Sequence, residues 1–222
     1  MGTDDLFHKR KARSAKQLSR RKAKRSPYAK VLVVCEGKKT EPFYFKGIQE
    51  HYELNTANVE ITGETGSSPK SIWDYARQRY REAKDAGDEF DKVFCVFDKD
   101  NHDGYYETCQ EIDAAVPKET FYHITSVPCF EYWLLLHFIY TTKPYESLPG
   151  NSSAEQALSD LKNYIPDYKK GHRGVFLDLL EQLPQAKAYA QKTLDVTRES
   201  GTDNPSTKVH KLVDFLQKIK DM

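Results

Sequence analysis

The chain has 222 residues, enough for one sizeable domain or one domain with an elaboration. Charged residues make up 30%, mean hydropathy is −0.75, and no apolar run approaches the roughly 20 residues of a helical membrane span, so a membrane protein of that kind is excluded. The net charge of +1 hides an asymmetry: residues 1–30 carry eleven Lys or Arg against two Asp, or +9, and the rest carries −8.

The chain opens on this basic stretch. Residues 1–27 have too few apolar side chains to form a core and are expected to be a flexible arm. Arg20, Arg21, Lys22, Lys24 and Arg25 are its candidate nucleic-acid contacts, because cations on phosphates gain from counterion release. A solubilising tail is the plainer alternative. With no apolar signal region at the start, a cytoplasmic protein is expected. The four cysteines form no C-x-x-C pair, and two lie in apolar runs, so buried reduced thiols are expected rather than disulfides or zinc.

Strand and helix patterns alternate after residue 30. Val31 to Cys35 is a continuous apolar strand, and 40–52 is a helix with Thr40 as N-cap and Pro42 in its first turn. A short strand over 58–62 and a polar loop over 63–68 lead to a long helix at 69–86, with Ile72, Tyr75, Ala76 and Tyr80 at helical spacing. A strand at 93–97, a helix at 103–115 and a strand at 121–126 follow. Such repeats predict an α/β fold with a parallel sheet flanked by helices. After Pro128 the pattern turns helical. Helices are expected over 130–140, 153–164, 173–181, 184–200 and 205–219, with no strand. The organisation read from this is an arm (1–27), an α/β core (28–127) and an α-helical C-terminal elaboration packed on it (128–222).

Two acidic motifs each close an apolar strand. Glu36-Gly37 follows the first, and Asp98-Lys99-Asp100 follows the strand at 93–97. Ligands of open α/β sheets bind outside the carboxyl ends of the strands. If the two strands are parallel neighbours, Glu36, Asp98 and Asp100 meet there and repel unless they share a divalent cation. Hard oxygen ligands suit Mg2+ or Mn2+. Helix capping and turn formation are the plainer roles for such acids. Glu41, at the start of the next helix, is either a dipole-stabilising acid or a further metal ligand or base. Lys38 and Lys39 share its loop and are candidate phosphate contacts. Glu131 stands among Phe130, Tyr132 and Trp133, so it needs a buried partner or faces the strand ends. Lys170, with its neighbour Lys169 an equal candidate, either stabilises charge on a phosphoryl group or belongs to a solvated loop pair. Asn204-Pro205-Ser206-Thr207 reads as a helix start.

Five segments in order resemble the RloB-like proteins. They are Cys35 to Phe45, Asp98-Lys99-Asp100, Ser126 to Phe138, Tyr168-Lys169-Lys170-Gly171, and Asn204 to Thr207, and the likeness runs from about residue 30 to the C-terminus. That resemblance implies a Toprim-like fold, the fold of topoisomerase and primase catalytic domains and of OLD-type nucleases. It implies metal ligands at Glu36, Asp98 and Asp100, with Glu131 and Lys170 assisting catalysis. It further implies an anti-phage or abortive-infection setting beside an ABC-type ATPase partner. The expected activity is metal-dependent cleavage of RNA, tRNA included, or of DNA. No motif places a nucleophilic tyrosine, which disfavours a covalent topoisomerase-like route. A latent, non-catalytic module that docks on and gates the ATPase is the alternative. A phosphatase-like use of Asp98 fits less well, since Asp100 is followed by Asn101 and not by Thr or Val.

Overall fold

The computed structural model describes residues 28–222 except 64, 65, 67, 100, 101 and 103. The basic arm and Asp100 therefore lie outside the described residues.

The two central strands are built from side chains that suit burial on both faces. Strand β1 (Val31–Cys35) and β3 (Lys92–Asp98) are nearly all apolar, as expected where helices cover both sides of a parallel sheet. They are joined in one sheet by β2 (Val59–Thr62), β4 (Phe121–Val127) and β5 (Ser206–Thr207), in the order β2-β1-β3-β4-β5. The first four are parallel, and β5 is antiparallel to β4. Alternation along β1 sends Val31, Val33 and Cys35 to one face and Leu32 and Val34 to the other, so two separate cores form.

Helices α1 (Thr40–His51) and α2 (Pro69–Asp85) cover opposite faces. The chain leaves β1 through α1 to β2, then returns through α2 past β1 to β3. The order thus reverses between β1 and β3, which makes a crevice at their carboxyl ends. Helix α3 (Tyr105–Ala114) joins α2 on its face. The face with α1 also receives α4 (Phe130–Leu135), α5 (Ser153–Lys162), α6 (Val175–Asp178), α7 (Leu183–Ser200) and α8 (Val209–Lys218). The result is a mixed α/β protein with a mostly parallel sheet and C-terminal helices, consistent with a Toprim-like α/β fold.

Three sequence expectations are corrected. Asn204 to Thr207 is not a helix start: Ser206 and Thr207 form β5, whose ladder pairs Val127 with Ser206 and Ser126 with Thr207. Asn204 spends its amide on both backbone groups of Tyr145, and α8 begins only at Val209. The helix expected over 130–140 stops at Leu135, and the chain beyond it is irregular, with Leu136 and His137 buried and Ile139 exposed. Thr40 does not cap α1; Lys39 holds the cap position, and Thr40 Oγ1 accepts a hydrogen bond from the Gly171 amide at 3.1 Å.

Candidate active site

Glu36 leaves the end of β1, where its amide still donates to Val96 O of β3. Its carboxylate then turns toward β3: Oε2 accepts the Asp98 amide at 3.0 Å, and Oε1 lies 3.3 Å from His102 Nε2. The carboxylate of Asp98 points onward to the next strand's exit, where Oδ2 accepts the Phe130 amide at 3.1 Å. Three consecutive strand ends are thereby linked through two carboxylates, which matches the expected meeting of Glu36 and Asp98.

Two helices deliver further acids. Glu41 lies on the same face of α1 as Tyr44, Phe45 and Ile48, at the three- and four-residue spacings that share a helix side, so it is buried with them. Tyr44 packs edge-on against Phe130 and Trp133 of α4, with ring centres at 5.4 and 6.3 Å. This aromatic contact brings the starts of α1 and α4 together. Glu131, 2% exposed, follows Phe130 and accepts from Tyr168 Oη at 3.3 Å, with Lys170 Nζ at 3.4 Å. The 168–171 segment is itself pinned by the Gly171–Thr40 bond and lies against the Lys39 stem, where a Cβ on Gly171 would come within 2.8 Å.

Backbone crowding brings the loop after β1 close to the acids. A Cβ on Gly37 would lie 2.8 Å from Glu41 Oε2. A Cβ on Gly63 would lie 2.0 Å from Gly37 O, so the loops after β1 and β2 cross in backbone contact.

The electrostatics follow from this packing. Burial, then the charges of Glu131 and Glu36, push the Glu41 carboxyl up to about 7, against its own backbone bond and Lys170. Burial, then the charges of Glu41, Glu36 and Glu131, hold Asp98 well above the ordinary carboxylate range, although the Phe130 amide opposes this. Burial works to lower the Lys170 ammonium, but Glu131 and its neighbours outweigh it and raise it. The all-oxygen donor set and its mutual repulsion suit a hard divalent cation. Among the described residues, no three His, Cys, Asp or Glu side chains stand close enough to one another to hold a metal ion by themselves.

Glu36, Asp98, Glu41, Glu131 and Lys170 thus converge. Lys38 and Lys39 are exposed on the loop beside them. The cationic positions Arg20, Arg21, Lys22, Lys24 and Arg25, like Asp100, lie outside the described residues. Sequence reasoning missed two participants, Tyr168 and His102. Tyr168 sits in the same motif as Lys170 and is 37 residues from Glu131, so only the fold shows the contact. His102 had a signal in the loop that follows Asp98. His137 is buried, with Nδ1 on the Trp133 and Leu134 carbonyls.

The fold and site define an α/β protein with an acidic cluster at the carboxyl ends of its central strands. The RloB-like protein family model matches residues 31–216, and the chain belongs to that family. No curated protein and no solved structure matches it. No helix of the described residues is long and apolar enough to cross a membrane.

Proposed function

We propose that this RloB-like protein is a metal-dependent nuclease that hydrolyses phosphodiesters of RNA, tRNA included, or of DNA. The observation that carries this reading is the convergence of Glu36, Glu41, Asp98 and Glu131 at the β1–β3 crevice, with Lys170 set against them. Buried acids that crowd one another are costly unless positive charge joins them.

Glu36 and Asp98, with Asp100, would hold Mg2+ or Mn2+, and Glu41 would serve as a further ligand. The ion, when bound, supplies an activated water and charge stabilisation at the phosphoryl oxygens. The protein's own contribution is placement. The Asp98 amide orients Glu36, and the Phe130 amide orients Asp98. Glu131 and Tyr168 hold Lys170 at the rim, where its ammonium offsets charge developing on the phosphate. Lys38 and Lys39 take flanking phosphates, and the basic arm, from Arg20 to Arg25, adds sequence-independent affinity. By the family likeness, the nuclease acts as an effector in anti-phage defence, with an ABC-type ATPase as partner.

The test is incubation of the full chain with total tRNA and with plasmid DNA, in Mg2+, Mn2+ or EDTA, beside Asp98→Ala. Metal-dependent cleavage lost in the variant is expected. Undiminished cleavage by a folded Asp98→Ala would overturn the assignment.

The charge of −8 borne by residues 31–222 favours a second reading, since an acidic body repels a polyanion. In that reading the chain is a latent module that docks on and gates the ATPase. Co-purification with the ATPase, lost on deleting residues 1–27, would support it; retention of the complex would not.

A further inference from the structure

A small polar cavity of about 160 Å³ opens beside the acidic cluster, at the carboxyl end of β4 and the amino end of β5. It is bordered by Val127 and Pro128, which lead from β4 into the α4 turn that binds Asp98, and by Lys99, Ser147, Ser153 and Asn204. This is below the roughly 300 Å³ where pockets for drug-sized molecules begin. At about 30 Å³ per water it has room for some five waters, the scale of a tetrahedral oxyanion.

Its walls are chosen for an anion. Lys99 is the one charged residue bordering it. Its ammonium is fixed by Asp203, at 2.7 and 2.9 Å, and by Tyr106 Oη at 2.6 Å. Asp203 and Tyr106 border a different cavity, so no carboxylate lines this one. The opposite wall is the start of α5. Its capping box satisfies the Ser152 and Glu155 amides and leaves those of Ser153 and Ala154, in the first turn, untaken. Independently, Ser153 is only 8% exposed, and its hydroxyl has no hydrogen-bond partner among the described residues. The hydroxyl is not among the fully enclosed atoms left without a partner; it is open to the cavity its residue lines, where an oxyanion would accept its hydrogen bond.

We infer that this cavity is a phosphate subsite, formed by Lys99, Ser153 and the first turn of α5, that grips a phosphodiester next to the one cleaved. The inference rests on the nuclease reading for its occupant but not for its chemistry. Lys99 stands between Asp98 and Asp100, so the same short motif would supply acids to the reacting phosphate and a cation to its neighbour. Such a contact positions a polymer and carries no sequence information.

The test measures binding in EDTA, where cleavage plays no part. Inorganic phosphate and a single-stranded oligonucleotide are titrated calorimetrically into the full chain and into Ser153→Asp, Lys99→Met and Asp98→Ala. An acid in the first turn of a helix is favourable to the helix dipole, so Ser153→Asp is expected to fold while repelling an anion. Should it fail to fold, Ser147→Asp, at an exposed position, places the same charge at the cavity. Phosphate is expected to bind the wild type, at least about tenfold more weakly to the Ser153 and Lys99 variants, and equally to Asp98→Ala. Competition between phosphate and oligonucleotide supports the substrate subsite. Phosphate binding without competition overturns it in favour of free phosphate. No phosphate binding, or binding unchanged in the variants, overturns the site altogether. Loss of cleavage in every metal would sink the nuclease reading and leave these titrations intact.

Discussion

The Asp98 amide donates to Glu36 Oε2 across 3.0 Å, so the acid that ends β1 is aimed by the backbone of β3. Glutamine at position 36 keeps an acceptor oxygen for that amide and loses only the charge. Glu36→Gln is therefore expected to fold with stability within about 0.5 kcal/mol of the wild type. Cleavage should fall by roughly 100-fold or more, as when a charged group of the reacting site is removed. Parallel denaturation and cleavage assays check this; a variant that unfolds would make the bond structural.

Glu41 should make the metal-free protein less stable as pH rises. Its carboxyl is pushed from the ordinary 4.5 up to about 7, so the folded state binds more protons than the unfolded state between those values. Its contribution is fully present below pH 4.5 and is lost as pH rises through 7. Glu41→Gln should therefore raise stability at pH 8, by on the order of 1–3 kcal/mol, and leave pH 4 nearly unchanged. Urea denaturation in EDTA at the two pH values gives the answer.

His137 predicts the opposite slope. Burial holds its imidazole down to about 4 from 6.5, so the unfolded state binds the extra proton between those values. Stability is lost as pH falls from 6.5 toward 4, on the order of 3 kcal/mol for the whole window. His137→Gln should flatten that part of the pH profile, and an unchanged profile would place the acid sensitivity elsewhere, with His210 the next group to test.

Two glycines should respond very differently to alanine. At Gly37 the new methyl meets the far end of the Glu41 side chain, which can move, whereas at Gly63 it meets the Gly37 carbonyl oxygen at 2.0 Å. Gly63→Ala is expected to destabilise by about 3 kcal/mol or more, Gly37→Ala by less than about 1 kcal/mol. Gly37→Ala should instead weaken cleavage by displacing Glu41. Thermal melts separate the two.

Much of the sheet was legible because its central strands are continuous apolar runs, and an acid after such a run marks a strand's carboxyl end. Glu36 and Asp98 were found that way. The two-residue β5 was not: nothing local in Ser206-Thr207 signals a strand, which exists through pairing with β4 and the Ser126–Thr207 hydroxyl contact at 3.1 Å. The run after Leu135 misled for the reverse reason. Apolar composition there makes neither a helix nor a buried segment, since only Leu136 and His137 are buried and Ile139 is exposed; His137 Nδ1 faces the Trp133 and Leu134 carbonyls where the helix ends. The placement of Lys170 was legible from its motif, but its anchor on Glu131 is a long-range contact with no local pattern.

Tyr168 and Lys170 reach back to Glu131, and Gly171 to Thr40. This sets an order of assembly. A ribosome at 5–20 residues per second makes the strand ending at Asp98 several seconds before it makes position 170. Until then Glu131 lacks Tyr168 and Lys170, and the acids of the crevice face one another without that ammonium. The nascent protein thus carries most of its acidic cluster early and completes it late, so any cutting power waits for nearly the whole polypeptide.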